Sequence, residues 1–425
     1  MKKGSGQLNI TYAGNNAWKS TELNAGTLAM GAWNTTFGMP TSSIDVTGNA
    51  TITIFNNNST SAVPALKNII TIKQGKSLTI NGGQRCNVQG QLLGKGTLKI
   101  NFPYVRGDVS TNMSQFEGTV EVTSGQFRLT TAMDLSNGIF QPDAGVYVVG
   151  VKSASGTESS FTHKIGALKG TAADASFGTG IWNVGYLNTK TTFAGKFLSS
   201  ATLNKYGDGA LTLTGQSEAK INIYAGILSV ENTTATTTAL ITVNAGGTLC
   251  GTGKTAAVTV NKNGILATGK ATGTAIGTLS LTGNLSVKSG GMIRVRGRGT
   301  GATSTIDKFN VEGKITLVSP VFQMERQTYD WEPDTDYKVF TCDGGITLSG
   351  TPTFEPAIPR EGYLWDYSQL TSNGIIRIVG DPTGIEEVKN EGARSSANIY
   401  DLSGRKGSTL RKGVYIINGK KFLVK

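Results

Sequence analysis

The stretch Leu203-Asn-Lys-Tyr-Gly-Asp-Gly-Ala-Leu-Thr-Leu-Thr-Gly215, continued by Tyr224-Ala-Gly-Ile-Leu-Ser-Val230, decides the fold. Two glycines two apart lead into a strand that alternates Leu with Thr. After a variable span, Ala-Gly opens a second alternating strand. The same order returns as Gly4-Ser-Gly-Gln-Leu-Asn-Ile10 with Ala25-Gly-Thr-Leu-Ala-Met30, and as Gly94-Lys-Gly-Thr-Leu-Lys-Ile100 with Ser124-Gly-Gln-Phe-Arg-Leu129. A motif recurring in fixed order points to a repeat architecture.

Outward from that motif, short strands follow one another. Ala50-Thr-Ile-Thr-Ile-Phe55, Ile69-Ile-Thr-Ile72, Ser77-Leu-Thr-Ile80 and Gly118-Thr-Val-Glu-Val122 alternate apolar with polar residues. That is the period of a strand with one buried and one wet face. The turns between strands carry Gly and Asn, which tolerate positive φ. No apolar stripe of period 3.6 reaches helical length, so the fold class is all-β. Strands of this length cannot hold a sheet alone, but stacked as solenoid coils they share one core and bond to the coils above and below. The expected architecture is a right-handed parallel β-helix of roughly 20–25 residues per coil. At about 4.8 Å per coil, this makes a rod on the order of 70–90 Å long.

Composition narrows the function classes. Gly accounts for 57 of 425 residues without a Gly-X-Y period, which excludes collagen, and 38% apolar residues argue against disorder. The formal charge is +12, and the last 41 residues carry nine Lys/Arg against four acids. The remaining excess is spread thinly, apart from Arg294-Val-Arg-Gly-Arg298. Nucleic-acid binders concentrate charge on a motif with interleaved aromatics, so nucleic acid is not the expected partner. Cys86, Cys250 and Cys342 lie too far apart for a disulfide framework or a metal spacing. No run approaches 18 apolar residues, so no transmembrane helix is expected. Met1-Lys-Lys-Gly-Ser-Gly-Gln lacks the apolar segment of a signal peptide. An exported protein would carry that signal upstream, on an N-terminal part missing from this sequence.

Four regions follow. Residues 1–317 form the repeat region, with a looser pattern between Asp134 and Phe197 where Trp182 and Tyr186 are expected on the surface. Residues 318–380 gather aromatics such as Phe322, Trp331, Tyr337 and Trp365 with five of the ten prolines. They read as an aromatic-rich cap over the open end of the solenoid. Residues 381–396 read as a linker. Residues 397–425 form a small β-sandwich-like tail, with Asn418-Gly419 as its hairpin turn.

Two resemblances sharpen the picture. Lys205-Tyr-Gly-Asp-Gly-Ala-Leu-Thr-Leu-Thr-Gly215 with Ala225-Gly-Ile-Leu-Ser-Val230 resembles the autotransporter-associated β-strand repeat of bacterial surface passengers, which implies a parallel β-helix. Tyr400-Asp-Leu-Ser-Gly-Arg405, Lys412-Gly-Val-Tyr-Ile-Ile417 and Lys420-Lys-Phe-Leu-Val-Lys425 resemble the type A C-terminal sorting domain of the type IX (Por) secretion system of Bacteroidetes. That resemblance implies export by the type IX machinery to the outer-membrane surface of a Gram-negative bacterium, or release from it. It assigns sorting roles to Tyr400, Asp401, Leu402, Gly404, Arg405, Gly413, Tyr415, Lys420 and Lys425. This copy is shorter than the family's full sandwich.

Catalytic chemistry finds little support in the residues. His163, the single histidine, reads as a polar loop residue, since a triad or histidine metal site needs more partners. Glu325, Asp330, Glu332, Asp334 and Asp336 lack EF-hand spacing and read as a solvated cap loop. A glycosidase needs two carboxylates within several ångströms. Asp208, Glu218, Glu231, Asp307 and Glu312, the carboxylates of the cleanest repeat region, are not read as such a pair. Arg294, Arg296 and Arg298 are expected to share one strand face. With Trp182 and Tyr186 they are the candidate ligand residues, suited to an acidic sugar. No cofactor or metal is expected. The reading is a secreted, surface-displayed structural or adhesin-like β-helix whose candidate ligand is a surface or dietary polysaccharide. The alternative is a β-helix polysaccharide lyase or glycoside hydrolase, or the non-catalytic C-terminal part of one.

Overall fold

The computed structural model describes the chain except residues 13–15, 40, 57–58, 104–106, 153–155, 233–239, 271–275, 300–304, 327–330, 381–385, 388–398, 403, 408–412, 418–419 and 425. The protein is all-β, with 54% strand and 1% helix, and most strands pair in parallel. One sheet of 16 strands runs from Gln7–Ile10 to Ile346–Ser349, and every neighbouring pair in it is parallel. At about 4.8 Å between strands, its 15 steps span about 72 Å. Between successive passes the chain visits shorter sheets of four, seven, nine and four strands, parallel except where Thr305–Ile306 joins the nine-stranded one antiparallel. The arrangement is consistent with a parallel β-helix or solenoid.

The alternation read in the sequence is the alternation of burial. Ala50–Ile54 and Ser77–Gly82 alternate buried and half-exposed positions along their length. Parallel pairing in register turns each buried position into a column. Leu28 faces Ile52, Ile52 faces Ile80, Ile80 faces Ile100, and Ile100 faces Val122. All five are 2% exposed or less. Each such side chain contributes on the order of 1.5–3 kcal/mol by leaving water, so the shared core holds strands that are too short to persist alone.

The glycines of the motif answer to steric demands at the corners. Gly26 and Gly226 both take positive φ, +71° and +63°. A Cβ on Gly26 would run into the carbonyl oxygens of Gly4 and Gly6; one on Gly226 would meet those of Gly207 and approach Gly209. The Gly-x-Gly turn of one coil and the Ala-Gly turn of the next are thus packed backbone against backbone, at two places 200 residues apart.

The composition change at 318 does not stop the ladder. Val321–Arg326 pairs in parallel with Met292–Arg298 and then with Thr353–Glu355, while Ile346–Ser349 adds to Ile315–Val318. The coils therefore continue to Glu355. A three-stranded antiparallel sheet follows, of Asp336–Lys338, Ile375–Gly380 and Tyr363–Asp366. Here Trp331 packs edge-on to Tyr337 and Trp365, and Phe354 stacks on both Phe322 and Trp365. The aromatics of this region are packed together, with Trp331, Tyr337 and Trp365 8% exposed or less.

A separate five-stranded sheet ends the chain: Glu386–Glu387, Lys420–Val424, Gly413–Ile417, Ile399–Asp401 and Lys406–Gly407. Glu386–Glu387, read from sequence as linker, pairs in parallel with Phe422 and Leu423. The rest of 381–396 and the Asn418-Gly419 turn lie outside the described residues.

The glycine packing yields a paired test. Gly75 also has φ +71°, but open space surrounds its would-be Cβ. Gly75→Ala is expected to cost only the left-handed strain, about 1–2 kcal/mol. Gly226→Ala adds a backbone collision and should lose clearly more in urea unfolding. Equal losses would refute the inter-coil packing account.

Candidate interaction surfaces

Lys205 shows how far the motif is consumed by the scaffold. Its side chain is 1% exposed, and Nζ donates to the carbonyl oxygens of Tyr206 (2.6 Å), Gly207 (2.7 Å) and Ala225 (3.2 Å). The ammonium thereby ties its own turn to the next coil. Burial pulls its pKa down to about 8, with Asp208 acting the other way. Lys2 makes the same contacts with Gly4 (2.7 Å) and Ala25 (3.1 Å). Sequence reasoning missed this role, although the signal was present: a Lys stands two residues before the first motif glycine in both copies.

Next to Lys205 two ladders climb three coils. Asn204 Nδ2 donates to Asn183 Oδ1, and Asn222 Nδ2 to Asn204 Oδ1, both at 2.8 Å. Tyr186, Tyr206 and Tyr224 stack with centroids 5.6 and 5.1 Å apart and their ring planes nearly parallel. Burial, then the neighbouring Tyr224 and Tyr186, raises the pKa of Tyr206. Beyond Asn222 the same register column continues as Thr242, Thr259, Ser286, Thr316 and Thr347. These side chains are half-exposed to exposed, which makes a hydroxyl-lined strip along the sheet.

Trp182 corrects the sequence expectation, because it is fully buried. Its strand, Gly180–Val184, pairs Trp182 with the inward Leu203, and its indole N–H donates to Gly178 O at 3.0 Å. His163 is corrected as well. It lies within the strand Thr162–Leu168, is 0% exposed, and stacks on Trp182 at 4.3 Å between centroids. Met133 N–H donates to its Nδ1 at 3.1 Å, which leaves the proton on Nε2. Nε2 meets no hydrogen-bond partner among the described residues. Burial holds its pKa down to about 4.

The three arginines do not act as one face. Arg294 is half-exposed and pairs with Glu325 at 3.1 Å. Arg296 is drawn inward, where its Nε donates to the fully buried Asp307 at 2.7 Å and Nη2 donates to Thr268 O at 2.5 Å. Asp307 also accepts from Thr268 Oγ1 (2.5 Å) and the Gly277 N–H (3.0 Å), so the cluster clamps three segments together. Only Arg298 is exposed, at the point where its strand turns to antiparallel pairing with Thr305–Ile306.

The remaining candidates divide in the same way. Lys95–Glu117, Lys99–Glu121, Arg128–Asp108 and Lys164–Asp134 join adjacent coils as ion pairs of 2.7 to 3.3 Å. Of the cap acids, Glu325 holds Arg294 and Asp336 holds Arg377 at 2.6 Å. Asp330 lies outside the described residues. No group of three or more metal-ligating side chains gathers among the described residues. Burial raises the thiols of Cys86 and Cys250 to about 12 and about 11. No helix among the described residues is long and apolar enough to cross a membrane.

In the terminal sheet, Tyr400 pairs with Ile416 and Asp401 with Tyr415, while Tyr415 is also in register with Phe422. Gly413 and Lys420 belong to the same two strands, Gly413–Ile417 and Lys420–Val424. Asp401 shapes the turn: its Oδ1 accepts from the Arg405 N–H (2.8 Å), its carbonyl accepts from the Gly404 N–H (2.9 Å), and Gly404 takes φ +81°. Leu402 is 66% exposed. Lys425 lies outside the described residues.

Open clefts among the described residues include two of note. One of about 440 Å³ lies between the coils and the terminal antiparallel sheet, with Lys308, Lys338, Asp336 and Thr335 among its walls. The other, of about 220 Å³, is near the N-terminal coils and is walled by Trp33, Asn34, Val63, Ala65 and Lys67. Compared with known protein families and with curated proteins, the chain matches none.

His163 provides a pH test. The unfolded side chain takes up a proton near 6.5, whereas the folded one does so only near 4. The unfolded state therefore binds more protons between those values, and stability is lost as pH falls through that window. The full loss is about 3 kcal/mol. His163→Gln, which keeps an acceptor for Met133, should flatten the urea-midpoint profile between pH 6.5 and 5. An unchanged slope would show that another group is responsible.

Proposed function

We propose that this chain is a surface-displayed structural or adhesive scaffold of a Gram-negative bacterium, its coils closed into a right-handed parallel β-helix. The observation that carries this reading is the 16-stranded parallel ladder, together with the coil-to-coil ties made by several of the chain's polar side chains. Lys205, His163, Arg296 and Asp307 all serve inter-coil contacts. Right-handed closure follows the strong general preference of parallel β crossovers. What remains outward is a strip of hydroxyls that starts at half-exposed Asn222, with a tyrosine stack beside it, groups suited to hydrogen bonding and stacking with polysaccharide.

Export through a type IX machinery rests on the resemblance of the last residues to a sorting domain. The compact antiparallel sheet around Tyr400, Asp401 and Tyr415 gives that signal a defined shape to be recognised. The tail is then removed or retained at the outer surface.

Two experiments test the reading. Deletion of Ile399 to Lys425 should leave the coils folded by circular dichroism and strand the protein in the periplasm of a type IX-competent host. Surface display of the truncation would defeat the sorting assignment. A glycan array paired with turnover assays on acidic polysaccharides should show retention without cleavage products. Product release would replace the scaffold reading with a lyase or hydrolase.

A further inference from the structure

We propose that the cleft beside Trp33 is a binding site for one anionic pyranose unit of a glycan, a proposal that rests on the carbohydrate-contact reading above. Trp33 is 46% exposed and is the only tryptophan among the exposed large apolar residues. It walls the cleft together with half-buried Val63 and Ala65, so the lining offers one flat aromatic face and a small apolar floor. A pyranose ring has the matching form, with an apolar face of C–H groups bordered by hydroxyls. Exposed Asn34 supplies both amide donors and an acceptor at the rim. Exposed Lys67 supplies a positive charge, and none of the residues lining the cleft is acidic. The chemistry therefore favours a sugar bearing a carboxylate or sulfate over a neutral or cationic one.

The frame under the cleft is rigid although it is irregular in backbone. Asn68, 4% exposed, donates from Nδ2 to Phe37 O and Ser42 Oγ, both at 2.8 Å, and Ser42 Oγ donates to Phe37 O at 2.9 Å. On the other side, Asn16 N–H donates to Thr36 Oγ1 at 2.9 Å and Asn16 Nδ2 to Thr36 O at 2.7 Å. Thr35 Oγ1 accepts from the Ala32 N–H at 3.0 Å. The loop that presents Trp33 is thus fixed from both flanks before any ligand arrives, which lowers the ordering cost of binding. At about 220 Å³ the cleft lies below the roughly 300–1,000 Å³ of sites that engulf drug-sized ligands, a size for one ring of a chain that passes over it.

The test uses the full chain with three probes: a polygalacturonate oligomer, a sulfated galactan oligomer and a neutral β-glucan oligomer. Tryptophan fluorescence and calorimetry read binding. Binding of at least one anionic probe, with a change in tryptophan emission and a preference over the neutral glucan, is expected. The two anionic arms tell a carboxylate from a sulfate. Trp33→Ala should weaken that binding at least about tenfold, and Lys67→Gln should erase the preference for the anionic probe. Both positions are exposed, so unchanged thermal unfolding serves as the folding control. If the wild-type chain binds a probe and both variants bind it equally well, the Trp33 site is overturned while the carbohydrate reading stands. If the wild-type chain binds none of the three and retains no glycan on the array, both are overturned.

Discussion

Every coil depends on returning the chain to the 16-stranded sheet in register. Side chains alternate faces with period two, so a slip of one residue would turn a coil's apolar set into water and its polar set into the core. Register is held from both sides of the backbone. Inside, columns such as Leu28, Ile52, Ile80 and Ile100 interlock. Outside, Asn183, Asn204 and Asn222 pass a side-chain hydrogen bond from coil to coil. The corners add a third constraint, because Gly226 packs against the turn of Gly207 and Lys205 reaches across to Ala225.

These constraints explain why the fold could be read and the chemistry could not. Strand period and turn residues are local, so Leu211-Thr-Leu213 or Ser77-Leu-Thr-Ile80 declare themselves without a partner. The fate of a polar side chain depends on what a distant coil brings beside it. Alternation correctly places Arg294 and Arg298 toward the outside, yet Arg296 turns inward because Asp307, eleven residues on, waits there as a buried counter-charge. Trp182 and His163 sit in the stretch where the strand pattern is loosest, between Asp134 and Phe197. Their inward position becomes clear only from the register that sets Trp182 against Leu203 and His163 against Trp182. The composition change at residue 318 likewise reflects aromatic packing at the end of the coils, whereas the pairing of Val321–Arg326 with Met292–Arg298 follows hydrogen bonds that composition does not record.

The buried polar groups set the character of the scaffold. An unpaired charge in such a core would cost several kcal/mol, and Arg296 and Asp307 avoid that through mutual pairing and backbone contacts. Satisfied clusters of this kind are directional, unlike apolar contacts, and so they fix one register among the near-equivalent ones that a repetitive Leu/Ile/Thr sequence offers. The single histidine is different in kind. It is held neutral between Met133 and Trp182, and its burial makes coil stability respond to acid in a range where ordinary carboxylates are still ionised.

Variation along the chain is carried where the ladder places no demand. The register interval varies from 17 residues between Ile241 and Val258 to 31 between Ile315 and Ile346, while the strands that meet keep the same pairing. The added residues are accommodated at the corners, where extra loop length costs little. A side chain on such a loop can change without disturbing a column, whereas one inside a strand cannot. Trp33, held on a hydrogen-bonded corner between Gly26–Met30 and Ser43–Val46, has this freedom. Lys205, equally polar by composition, does not, since three carbonyl groups of two coils depend on it. The same repeat thus divides its residues between those that must stack and those free to meet a ligand, and the division follows position in the coil more closely than residue type.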